Sequence, residues 1–267
     1  MTYLRELEDN EDLLPLGTPG QYFGGLGWTV RFLGAPAGHE QITRAALGPG
    51  SSVTFSVSGK PVTVRLSPGD VAEIIRGNTD TDIKYFRRGA IIPGVVSTFR
   101  PADQRQHALR ATYGQSQAAA LKDIINELQT QHRLIVAERL PRRRLYRIGH
   151  ATHLVQDSFS PAHTLRRGPS SCIAYIRNYG INPRGTNEHK VPKDSRDEIP
   201  KSAAASKLAE KATRRYLQIA FKTIHGKMKP DPVAAREADA EFKRFLATIF
   251  RGCLISGAPP KAVTGHS

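Results

Sequence analysis

The chain has 267 residues, 39% of them hydrophobic, which is enough for one large domain or two small ones with a real core. Thirty-nine Lys and Arg against 24 Asp and Glu leave a formal charge of +15, a balance that draws a protein toward polyanions such as nucleic acid or an anionic lipid surface. With only two cysteines, Cys172 and Cys253, the composition excludes a disulfide framework and a CxxC zinc knuckle, so any metal has to be held by His, Asp and Glu. The N-terminal stretch MTYLRELEDNEDLLPLG is acidic and has no apolar run of signal-peptide or membrane-spanning length. The expectation is a soluble chain without a transmembrane segment, either cytoplasmic or exported by a non-classical bacterial route.

Residues 13–38 are rich in Gly and Pro and lack sustained periodicity, so 1–38 reads as an irregular N-terminal segment. A helix is expected from His39 to about Gly48, with Ile42, Ala45 and Ala46 on one side. SVTFSVSGKPVTVRL alternates Val53, Phe55, Val57 with Val62, Val64, Leu66 about SGKP, which is the pattern of one hairpin. Ser67 before Pro68 caps a short helix that should stop at Gly77, leaving residues 78–101 as loop. From there the chain reads as helical in outline. The strongest periodicity runs over about 115–138, where Leu121, Ile124, Ile125, Leu128 and Ile135 share a face with His132, which reads as a core or boundary histidine. Pro141 breaks the chain within RLPRRRLYR, and a further helix carries Leu145, Ile148, Thr152 and Val155. Two more helices are expected over 203–227 and 232–251, followed by a flexible tail, residues 252–267. The organisation is one helical domain, 39–251, with a small β-hairpin insertion.

The segment HLVQDSFSPAH, residues 153–163, carries chemistry. At 100° per residue, His153 and Asp157 stand one turn apart on one helix face, as two ligands to one ion require, and His150 shares that face. Pro161 disfavours helix at Ser160, so His163 comes from the following bend and reaches the same pocket from a new direction. Taken singly, each histidine of the chain has an ordinary reading as a cap, a surface residue or a loop residue.

The string HxxxDxxxPxH resembles the signature of the zinc-dependent phospholipase C and single-strand-specific nuclease superfamily. Other segments resemble that family's pieces in the family's order: GHEQITRAAL with His39, IIRGNTDTD with Asp82 (Asp80 is the rival), QRQHALR with His107, and NEHKVPKD with His189 and Asp194. The resemblance implies an all-α, multi-helix bundle with a cluster of two or three zinc ions at one end. By it, Asp82, His107, His153 and Asp157 surround one zinc, His163, His189 and a carboxylate near Asp194 a second, and His39 with bridging Asp157 a third. Asp82 would also orient or deprotonate the attacking water. Imidazole and carboxylate without thiolate is the ligand set of catalytic zinc, which would activate water and neutralise charge on a phosphoester.

The sequence departs from the family twice. The last carboxylate, Asp194, comes five positions after His189 where the family has four, with Lys193 at the fourth. The secreted relatives begin at a tryptophan that completes the third site, whereas the single tryptophan here is Trp28; His150 is a candidate replacement. HEQIT and QRQHALR favour the phospholipase C type, acting on an anionic or zwitterionic phospholipid surface. The positive charge and the arginines at 142–144 and 166–167, placed near the mouth, favour a single-strand nuclease, with Arg166 and Arg167 as contacts to a substrate phosphate. Aromatics amount to 7%, and Tyr175, Tyr179 and Phe159 are the few stacking platforms near the site. A third reading, of a different class, is a non-catalytic basic adaptor that keeps a structural metal, and exported bacterial toxins fit the chain by analogy alone.

Overall fold

The computed structural model of the chain describes residues 38–48, 50–83, 101–161, 163–167, 172–178, 203–228 and 231–255. Helix α1 (Gly38–Leu47) buries Ile42, Ala46 and Leu47 and ends at Gly48, whose positive φ closes the turn into the first strand. Strands β1 (Ser52–Val57) and β2 (Lys60–Arg65) pair antiparallel with Phe55 opposite Val62 and Val53 opposite Val64. The turn sits at Ser58 and Gly59, both with positive φ, as a two-residue hairpin connection demands. Lys60 and Pro61, read in sequence as part of the turn, therefore belong to β2, where Pro61 pairs with Ser56.

Helix α2 (Pro68–Ile83) starts with a reciprocal cap: Ser67 N donates to Asp70 Oδ2 at 2.9 Å, and Asp70 N donates to Ser67 Oγ at 3.2 Å. It does not stop at Gly77 but continues one and a half turns further, through Asp80 and Asp82. Gly77 is there for contact rather than termination. A Cβ on it would lie 1.9 Å from the carbonyl oxygen of Tyr146, and one on Gly149 would lie 2.1 Å from that of Ile74. These two glycines let α2 pack backbone against backbone on helix α4 (Pro141–Asp157). The two helices run parallel: Arg142 meets Glu73 near their starts, and His150 meets Thr81 two turns on. Both C-terminal ends therefore arrive on the same side.

Helix α3 (Gln117–Ala137), capped by Ser116, buries Leu121, Ile124, Leu128 and Ile135 as its periodicity requires. Helices α5 (Ala203–Met228) and α6 (Pro232–Ile249) complete the bundle, with Asp231 capping α6. His132 is a core histidine, stacked on Phe242 at 4.1 Å, and burial pushes its pKa down to about 4. One apolar core links α1, α2, α3, α4, α5, α6 and the inward face of β1. No helix among the described residues is long and apolar enough to cross a membrane.

Three features depart from the sequence reading. A second hairpin, β3 (Thr164–Arg166) and β4 (Ile173–Ile176), follows His163 within a region read as helical. Gly252–Ile255, read as the start of a flexible tail, lie along β4: Cys253 N donates to Ile173 O and Ile255 N to Ala174 O, both at 3.0 Å. The two cysteines are joined, Cys172 to Cys253, across a sequence separation of 81 residues. That pairing is tertiary. Nothing near either cysteine signals it, because β4 and the segment after α6 meet only once the bundle has formed. In the chain-entropy account, a cross-link closing so long a loop is worth a few kcal/mol, about 3–5, to the folded state.

The glycine contact between α2 and α4 makes a direct prediction. Gly77→Ala should destabilise the protein by about 2–3 kcal/mol, since neither backbone can yield cheaply. Gly114→Ala, with nothing within 4 Å of the added carbon, should leave the denaturation midpoint unchanged. Equal midpoints for the two variants in urea would contradict the close crossing.

Candidate metal centre

Helix α4 supplies the central pair. His153 Nε2 lies 2.9 Å from Asp157 Oδ2, one turn away on the same face. The helix ends at Asp157, and the chain then tightens through turns in which Ser160 N donates to Asp157 O and His163 N to Ser160 O, each at 3.0 Å. Pro161 prevents α4 from continuing, so His163 folds back beside the helix it has just left. There its Nδ1 is 3.5 Å from Asp157 Oδ2.

His107 arrives from a different direction, at the end of a single 3-10 turn, Arg105–His107, that is closed by Ala108 in the left-handed region at φ 52°. Its Nδ1 stands 3.3 Å from Asp157 Oδ2 and 3.1 Å from His153 Nε2. His39, the second residue of α1, faces the other carboxylate oxygen, with Nε2 3.3 Å from Asp157 Oδ1. Its ring lies 4.3 Å from that of His153, tilted by 34°. One carboxylate is thus ringed by four imidazoles drawn from three separate stretches of chain.

All five residues are buried; His153 is 0% exposed and Asp157 2%. Burial by itself would raise the Asp157 carboxyl pKa, but the adjoining His153 and His163 and hydrogen bonds from His107 and His153 overcome this and hold it well below the usual carboxylate range. The donor atoms of His39, His153 and Asp157 all lie within 4.8 Å of one another, so this group can hold a metal ion. The contacts of His39, His107 and His153 with Asp157, from 2.9 to 3.3 Å, are close to the edge of about 3.3 Å that separates two ligands of a tetrahedral zinc at roughly 2.0–2.1 Å. The donor set, imidazole and carboxylate without thiol, suits zinc with exchangeable positions. His163 Nδ1 also donates to the main-chain carbonyl of His107, which can only accept, so Nε2 is the nitrogen of His163 with its lone pair.

Asp82 lies in the last turn of α2, but its side chain is outside the described residues, as are His189, Asp194, Trp28 and Tyr179. Asp80 is drawn to the other side of the α2–α4 contact, hydrogen-bonded to Tyr146 and near Arg76, with its pKa raised by burial. His150 also turns to α2, with Nδ1 2.9 Å from Thr81 Oγ1.

The arginines expected near a mouth fall in different places. Arg142 sits at the opposite end of α4 from His153, about 16 Å along the helix axis at 1.5 Å per residue, and pairs with Glu73. Arg166, expected to contact a substrate phosphate, is half-buried over the Phe159 ring at 4.2 Å, with donors given to the carbonyls of Ser158 at 2.9 Å and Ile249 at 2.8 Å. Burial pushes its pKa down to about 10. It ties the turn before His163 to the end of α6. Arg167 is exposed.

Sequence reasoning missed the polar layer behind the site, where His39 Nδ1 meets Gln156 Oε1 at 2.7 Å. The i,i+3 spacing of His153 and Gln156 gives no hint that the glutamine faces a different helix.

No family model, curated protein or solved structure matches this chain. The chemistry of the site therefore rests on its own residues.

If the cluster binds a divalent ion in the folded state alone, zinc added to metal-free protein should raise the melting temperature. Zinc at about 100 times its Kd would contribute about 2.7 kcal/mol. Asp157→Asn should abolish the rise, and an equal rise in that variant would place the zinc elsewhere.

Proposed function

We propose that the protein is a zinc-dependent phosphodiesterase of the phospholipase C type, related to the zinc-dependent phospholipase C and single-strand-specific nuclease superfamily. The observation that carries this reading is the buried Asp157 carboxylate, with His39 on one oxygen and His107, His153 and His163 on the other. A structural zinc site closes its shell with four ligands, commonly thiolates, whereas a two-sided carboxylate among imidazoles suits two or three ions sharing a bridge. In this reading Asp82, His107, His153 and Asp157 hold one ion, His163, His189 and Asp194 a second, and His39 with Asp157 a third. Bound there, the ions supply Lewis acidity toward water and phosphoryl oxygen.

The chain's own residues do the rest. Asp157 stays ionised and joins the two sides, and His163 keeps its proton on Nδ1 by donating to the His107 carbonyl. By the resemblance, Asp82 would orient the water that attacks phosphorus. Attack forms a new P–O bond and breaks the bond to the departing alcohol oxygen, which takes up a proton.

Lipid is favoured over single-stranded nucleic acid as the substrate. Two of the aromatic residues expected to stack bases are buried: Tyr175 is 2% exposed and accepts from Arg110 Nη2 at 3.0 Å, and Phe159 lies under Arg166. The arginines at 142–144 stand at the far end of α4. The net charge of +15 keeps the nuclease as the second reading. The Cys172–Cys253 cross-link favours an oxidising, exported setting over the cytoplasm.

Metal analysis of purified protein with parallel assays on phosphatidylcholine vesicles and single-stranded DNA tests the proposal. Zinc should co-purify, lipid should be cleaved, and His153→Ala should lose at least the roughly 10–100-fold that removal of even a ligand's hydrogen-bond partner costs. Cleavage of DNA but not lipid would overturn the substrate, and undiminished turnover by His153→Ala would overturn the mechanism.

A further inference from the structure

The arginines of RLPRRRLYR, which the metal centre does not use, belong to the other end of the bundle. Arg144 ties two helix ends together there: its N donates to the Leu140 carbonyl at 3.0 Å, and its Nη1 donates to Sδ of Met228, the last residue of α5, at 3.5 Å. Lys227 Nζ donates to the Val136 carbonyl near the end of α3. Asp231 N donates to the Gly226 carbonyl at 3.2 Å, and Asp231 Oδ1 accepts from Val233 N at 2.9 Å, which brings the first turn of α6 to the same place. Among the described residues four large apolar side chains are exposed, and three of them stand here: Leu140 at 51%, Met228 at 67% and Val233 at 43%. Scattered singly they would need no explanation; gathered on the helix ends of one side they mark a contact surface.

The free charge around them has one sign. Arg139 and Arg143 are exposed beside Leu140, Arg236 is exposed one turn after Val233, and none of the three pairs with a carboxylate among the described residues. The nearby carboxylates are turned inward: the Glu73 side chain is 5% exposed and holds Arg76 and Arg142, that of Glu138 is 13% exposed and holds Arg147, and Asp231 caps α6. We propose that this end of the bundle docks on an anionic phospholipid surface, with Leu140, Met228 and Val233 entering between headgroups and Arg139, Arg143 and Arg236 lying over lipid phosphates. Apolar tips ringed by cations gain from both layers of such a surface. A nucleic acid backbone offers nothing to aliphatic side chains, and among the described residues no aromatic ring is exposed at this end to stack on a base. The inference goes beyond the function proposed above and does not rest on it. The metal centre lies at the other end of α4, so lipid held here anchors the protein and is not the substrate.

Co-sedimentation with vesicles tests it, with a chelator present so that no lipid is cleaved and the metal reading has no part in the outcome. Wild-type protein should sediment with vesicles of mixed phosphatidylcholine and phosphatidylserine but not with phosphatidylcholine alone, and added salt should weaken the binding. Leu140→Ser with Met228→Gln leaves the charge unchanged and should lower the affinity by about 10-fold or more. Serine is a good cap for α4 and glutamine a good helix former, so this pair does not threaten the fold. Arg139→Gln with Arg143→Gln should lower the affinity by about fivefold for each arginine removed. Failure of the wild type to bind the phosphatidylserine vesicles overturns the inference, as does equal binding to phosphatidylcholine alone. So does binding that either pair of substitutions leaves unchanged. Binding to single-stranded DNA that both pairs weaken as much as they weaken vesicle binding would make this end a general polyanion surface and overturn the lipid assignment.

Discussion

A buried carboxylate surrounded by imidazoles is the constraint around which this protein is arranged. Removing Asp157 from water costs several kcal/mol unless positive charge is returned to it, and the chain brings four imidazole rings to it from three stretches of sequence. Rings without protons leave the anion uncompensated; rings with protons crowd like charges into one small volume. A divalent cation resolves both problems at once, because it satisfies the carboxylate and accepts the lone pairs of neutral histidines. A metal ion held there would compete with protons for the same nitrogens.

The fold can be understood as the means of bringing those rings together. Gly77 and Gly149 let α2 and α4 approach to backbone contact, and their parallel course carries both C-terminal ends to the site. That approach also puts Asn78 within reach of Thr152 and Gln156, so helix packing and histidine positioning share the same residues. On the far side, His163 is anchored by more than its own turn: Arg177 N donates to its carbonyl at 2.8 Å, and Arg166 ties the preceding Ser158 to the end of α6. The cross-link from Cys172 to Cys253 then secures β4 to the segment that follows α6. Charge, expected to gather at the mouth, is instead spent partly on this scaffolding.

Much of the helical plan was legible in the sequence because it is written in local signals. Ser67 and Pro68 mark the start of α2, Pro141 breaks the chain ahead of the residues of α4, and the apolar period of α3 places its buried face. The pair His153 and Asp157 was equally plain, since helical spacing alone puts both on one face, and Pro161 announced the return of His163. Gly77 misled because a glycine that ends a helix and one that admits a neighbouring helix look alike in one dimension. The second hairpin, the cystine and the Gln156 network were hidden for a common reason: each depends on partners far away in the chain, such as the 117 positions between His39 and Gln156. Arg166 looked like a phosphate ligand because a lone arginine gives no sign of which carbonyls will claim it.

X-ray absorption at the zinc edge of the reconstituted protein addresses the central claim most directly. The account predicts a first shell of nitrogen and oxygen alone at about 2.0–2.1 Å, with the outer scattering of at least two imidazole rings, and loss of that signal in Asp157→Asn. A shell containing sulfur, or an unchanged spectrum in the variant, would contradict it.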